Sequence, residues 1–169
     1  MKKFLILLSA ITFAIGLTAC SAEKEEAQPE KKEAEKAAEP AANPKSVMYK
    51  FYMSLVRSIN EADADLNAYE GEEDPEAQAE LKAAASESAA AVATKVEGLE
   101  VPAELKDQKA DLEAALSDIA ESYKLKSEEL KKDAPAFEAA DEKFTQGEEK
   151  IGAAFESVDL KKPSLAKEL

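Results

Sequence analysis

Residues 46–68 read SVMYKFYMSLVRSINEADADLNA. Met48, Phe51, Leu55, Ile59, Ala62 and Leu66 recur at steps of three and four, the spacing of one face of an α-helix. A strand would alternate every second residue, and no stretch of the chain does so. The segment therefore predicts a helix over 46–68. Its polar residues Lys50, Ser54, Arg57, Ser58 and Glu61 share one narrow strip of the helical wheel. Apolar residues fill roughly 200° of arc, wider than the ~100° stripe that packing on one core requires. Phe51, Leu55 and Ile59 are expected to face the core, with Tyr49, Met53 and Val56 on the flank beyond it. Two readings of that flank stand side by side. Either this is the most buried helix, covered by a neighbour or a chain terminus, or the flank is a groove for a partner helix, a peptide or a small hydrophobic ligand. Methionine and tyrosine suit such a surface: one adapts its shape, the other joins ring area to a hydroxyl.

Moving towards the C-terminus, Gly71 interrupts the pattern. Asp74-Pro75 then offers an N-cap followed by proline in the first helical position. A second helix is expected over 75–97, with Leu81, Ala85, Ser88, Val92 and Val96 on one face and Gly98 at its end. Pro102 is expected to start a third, reaching Lys132 and carrying Leu105, Leu112, Leu116, Ile119, Tyr123 and Leu130. Asp133-Ala134-Pro135 breaks it and opens a fourth, which runs to about Ser157 with Phe137, Ala140, Phe144, Ile151, Phe155 and Val158. A polar tail with Pro163 closes the chain. Short loops make neighbouring helices antiparallel. The expected fold is all-α, an antiparallel up-down bundle of four helices over residues 46–169. The many alanines, with Gly147 and Gly152 on the last helix, let helices approach closely.

Moving towards the N-terminus, Ser21–Lys45 holds no Leu, Ile, Val, Phe or other aromatic residue. It is Glu, Lys, Ala and Pro, a charged linker, so residues 20–45 form a tether with a coil reach of roughly 25–30 Å. Before it stands a leader, residues 1–19. Met1-Lys2-Lys3 is basic, and Phe4–Ile15 is apolar but too short to span a bilayer. The leader ends Leu17-Thr18-Ala19-Cys20, and Cys20 is the chain's single cysteine. This ending resembles the lipobox of bacterial lipoproteins. The resemblance covers the first twenty residues and implies transfer of diacylglycerol to the Cys20 sulfur, cleavage before it, and N-acylation of the new terminus. One acyl chain holds a protein only marginally, whereas two anchor it stably, at about 0.8 kcal/mol per buried CH₂. By the same resemblance, Ser21 rather than Asp after the cysteine favours the outer membrane if the source has two membranes.

Composition narrows the function. The full chain carries a formal charge of −14, and loss of residues 1–19 removes Lys2 and Lys3 and deepens it. Such a chain is repelled by nucleic acid, so no nucleic-acid partner is expected. Histidine is absent. That excludes Ser-His-Asp and Cys-His nucleophilic sites and the usual zinc sets. No phosphate-cradling glycine loop occurs, and no catalytic residue is assigned. Paired carboxylates could still serve a cell-wall hydrolase, the most distant reading. Asp63, Asp65 and Asn67 have the spacing that opens an EF-hand loop, but position six is Ala68 rather than glycine, and the pattern is rejected. The acids around Gly71, chiefly Glu72, Glu73 and Asp74, are weak candidates for a divalent cation. Their simpler role is a solvated loop favouring the start of the next helix. Arg57, the only arginine, either clamps an anion or pairs with Glu61 one turn on.

The expected function is a membrane-anchored cell-envelope lipoprotein on the extracytoplasmic face. It acts as a non-enzymatic binding or scaffolding module through contact with an envelope protein. No cofactor is expected beyond the lipid on Cys20. The alternative is an envelope carrier of a small ligand or a divalent cation. A protein partner calls for an exposed apolar strip on the first helix, a carrier for a closed cavity, and a hydrolase for two converging carboxylates.

Overall fold

The computed structural model describes residues 43–169, and every regular element in that range is helical. Cys20, the lipobox residues Leu17, Thr18 and Ala19, and the tether up to residue 42 lie outside the described residues. The helices are α1 (Pro44–Asn60), α2 (Ala64–Gly71), α3 (Pro75–Glu97), α4 (Lys109–Glu129) and α5 (Glu138–Ser157), with 3₁₀ turns at Ala103–Leu105 and Leu165–Lys167. The described residues form five α-helices where four are expected.

The extra helix comes from a break at Glu61–Asp63, inside the segment whose periodicity reads as one helix. In an unbroken helix the Leu66 N–H would donate to the Ala62 carbonyl. Here the Ser88 hydroxyl of α3 stands between them. Its Oγ accepts the Leu66 N–H at 3.3 Å and donates to the Ala62 carbonyl at 2.6 Å. A side chain inserted into the hydrogen-bond ladder is an established cause of a helix break. The apolar period survives because Ile59 and Leu66 remain core residues on either side of the break.

Helix starts follow local chemistry. The Asn43 side chain accepts from the Lys45 N–H, with Pro44 in the first turn, so α1 begins at Pro44 rather than Ser46. Asp74 caps α3 as expected, accepting from the N–H groups of Glu76 and Ala77, with Pro75 at the first position. Pro102 opens a 3₁₀ turn instead of a helix. That turn drives Leu105 fully into the core, and α4 starts only at Lys109.

Cross-helix contacts fix the topology. Ser86 Oγ donates to the Ser127 carbonyl, and Lys124 pairs with Glu97, so α3 and α4 are antiparallel. Lys143 pairs with Asp118, and Gln108 bonds Ser157, so α4 and α5 are antiparallel. α2 runs back along α3, from Ser88 at Leu66 to Gln78 at Tyr69. α1 lies where α3 and α5 end: Lys45 is 3.7 Å from Asp159, and Glu61 is 2.9 Å from Lys95.

α4 and α5 approach closely. A Cβ on Gly147 would stand 2.6 Å from Ile119 Cγ1 and 3.0 Å from the Ala115 carbonyl oxygen. Gly152 differs from the expectation of a helix–helix contact. It receives the aliphatic stem of Lys162, from the tail that doubles back along α5. That tail is more than polar: Leu165 is fully buried, and the Glu168 carbonyl accepts from Asn60 of α1.

Candidate functional site

The outer face of α1 is built by default. Met48, Phe51, Tyr52, Leu55, Val56 and Ile59 turn inward, leaving Tyr49, Lys50, Met53, Ser54, Arg57 and Asn60 exposed. Tyr49 is 58% exposed and Met53 38%, and they are the exposed large hydrophobics among the described residues. They stand four residues apart, one turn, on the same face. Val56, expected beside them, is 6% exposed and belongs to the core. Position 56 follows Tyr52 and Leu55 onto the buried arc, so the strip is narrower than a groove of three.

Electrostatics single out the same face. Residues 44–60 contain no Asp or Glu, while each of the other four helices contains at least one. Lys50 and Arg57 form no ion pair among the described residues. The pairing of Arg57 with Glu61 does not form. Glu61 is taken by Lys95, whose hydrogen bond and charge hold its carboxyl below the ordinary range. The acid-free run was visible in the sequence, but a reading centred on apolar periodicity passes over it.

A second concavity lies between α2, α4, α5 and the tail. Two adjoining clefts of about 310 Å³ each share Glu70, Lys126 and Asp141. Lys126 Nζ pairs with Glu70 at 2.6 Å and lies 5.9 Å from the centre of the Phe137 ring. Aromatic edges wall both sides: Tyr69 meets Phe137 at 6.5 Å and Tyr123 meets Phe144 at 6.4 Å, each T-shaped. The clefts open to solvent rather than closing between helices. Periodicity assigns Tyr123, Phe137 and Phe144 to helices but passes over Tyr69, and it gives no sign that residues so far apart in sequence share one wall.

The acids near Gly71 do not converge. Asp74 spends its carboxylate on the α3 cap, Glu72 accepts from the Asp74 N–H at 3.0 Å, and Glu73 points to solvent. Among the described residues, no three acidic or thiol side chains are grouped to hold a metal ion. None of the described helices is long and apolar enough to cross a membrane.

Three buried polar atoms have no partner among the described residues: Tyr52 Oη, Asp63 Oδ2 and Ser122 Oγ. Burial, with Glu168 and Glu148 nearby, pushes the Tyr52 hydroxyl up to about 12, so it stays protonated. Burial likewise raises Asp63, against a weaker opposing bond from Asn67. Asp118 behaves oppositely. Burial alone would raise it, but hydrogen bonds and charge from Lys150 and Lys143 outweigh that and lower it. Compared with known protein families, curated proteins and solved structures, the chain matches none.

Proposed function

We propose that this chain is a lipid-anchored protein of the bacterial cell envelope, held by Cys20, whose helical domain binds another envelope protein and performs no catalysis. The anchor rests on the lipobox resemblance of Leu17, Thr18, Ala19 and Cys20. The observation that carries the binding role is the pair Tyr49 and Met53, exposed one turn apart on α1. Adjacent on one face, the two side chains form a small apolar patch rimmed by polar residues, the kind of surface that suits a protein contact.

In-cell photo-crosslinking tests the proposal. Met53 is replaced by a photoreactive residue, and Glu80 on the exposed side of α3 serves as the control. A discrete protein adduct from position 53, with none from position 80, is expected. A folded, lipidated protein that yields no protein adduct from position 53 removes the proposal.

The aromatic-walled clefts favour a second reading, an envelope carrier of a small ligand. Native mass spectrometry of protein purified from its own envelope decides it. A bound small molecule released by Lys126→Ala supports the carrier, and a bare mass removes it.

A further inference from the structure

We infer that the outer face of α1 recognises an acidic protein surface, with Tyr49 and Met53 entering an apolar recess and Lys50 and Arg57 meeting carboxylates beside it. The inference rests on the docking role proposed above and specifies its chemistry. Three extremes of the chain coincide on this one face. It carries the exposed large hydrophobics of the described residues, it belongs to the one described α-helix without an acid, and it holds the only arginine of the sequence.

The stripe from Tyr49 to Arg57 is about 12 Å long at 1.5 Å per residue. Its two cations are unpaired within the described residues and project from a chain of formal charge −14. At physiological salt the screening length is about 8 Å, so a partner at contact distance meets Lys50 and Arg57 together with Glu61 at the end of α1, whose carboxylate is already paired with Lys95. Guanidinium matches a carboxylate with two parallel hydrogen bonds, and arginine, tyrosine and methionine are the residues enriched at protein interfaces. A protein surface fits this face better than a lipid surface does. A helix lying on a bilayer inserts a continuous apolar face. The continuous apolar face of α1, from Met48 to Ile59, is buried in the core.

The test extends the crosslinking at position 53. Charge reversal by Lys50→Glu with Arg57→Glu is expected to lower the adduct yield by about tenfold or more, as loss of complementary charges slows association and speeds release. Lys131→Glu, an exposed reversal beyond α4, is expected to leave the yield unchanged. Circular dichroism confirms that each variant is folded. Mass spectrometry of the adduct is expected to place the crosslink in a peptide of the partner with Asp or Glu beside it. An adduct that survives the double reversal, or maps to a peptide without acids, overturns the inference and leaves the docking role standing. Adducts only to lipid overturn both, as does the absence of any adduct from the parent protein.

Discussion

α4 and α5 meet as two uninterrupted helices, while α1 and α2 share one apolar period cut in two. The first pair is joined by closeness: Gly147 lets the backbones approach, and Asp118 is bracketed by Lys143 and Lys150. The second pair is joined through a third element, because the Ser88 hydroxyl occupies the gap in its ladder. Small residues do opposite work in the two places. A missing side chain brings α5 onto α4, and a small polar one holds α1 and α2 apart. The pattern of hydrophobics alone does not distinguish these cases.

Substitutions at these positions sharpen the comparison, and thermal or urea unfolding reads all of them. For a domain of this size about 1 kcal/mol corresponds to roughly 3–5 °C in Tm. Gly147→Val should cost most, about 3 kcal/mol, because its branches meet Ile119 and the fixed Ala115 carbonyl. A near-neutral result would mean that the α4–α5 contact is slack. Ser88→Ala should cost about 2 kcal/mol by stranding the Ala62 carbonyl and the Leu66 N–H. A gain in stability, with added helix content, would show that the ladder closes once the hydroxyl is gone.

Asp118→Asn should cost about 1–2 kcal/mol at neutral pH. Asp118 is held below its unfolded value of 3.8, so its contribution is fully present above that pH. It is lost as pH falls through the lower folded value. The gap between parent and variant should therefore be constant near pH 7 and close below about pH 4. A gap that persists in acid would assign the effect to packing rather than charge.

Asp63 lies in the break and carries the opposite sign. Its folded value is raised by burial, so ionisation above that value weakens the fold. Asp63→Asn should stabilise at pH 7 on the order of 1 kcal/mol or less, with the advantage fading as pH falls towards 3.8. A loss at pH 7 would show that the carboxylate is needed at the start of α2. Gly152→Ala should change stability least, within about 0.5 kcal/mol, because the flexible Lys162 stem gives way while the helix gains propensity.

Much of the helical layout was legible. Asp74-Pro75 and Gly98 delimit α3, and the three-four spacing selected most of the buried residues. Such signals are local, since caps and periods act within a few residues. What escaped the sequence depends on contacts across the chain. Ser88 stood within an apolar stripe, and its polarity was the one clue that a neighbour needed a hydroxyl. The sequence puts Val56 on the flank because a wide apolar arc does not show where the core ends. Leu165 was lost in a polar tail, since a single leucine has no period. The α1 face is half legible: the sequence groups Tyr49 and Met53 on one flank but leaves open whether that flank is covered, and its charge character requires counting what the helix lacks.

The doubled-back tail has a consequence for how the chain comes to be folded. Lys45 bonds the carbonyl of Asp159, Asn60 that of Glu168, and Tyr52 stacks edge-on against Phe155. The first helix thus docks on segments more than a hundred residues downstream, and closing loops of that length is slow. Until those segments are synthesised, α1 can dock only on α3 and the 3₁₀ turn at Ala103–Leu105, and the side that meets Phe155 and the tail stays open.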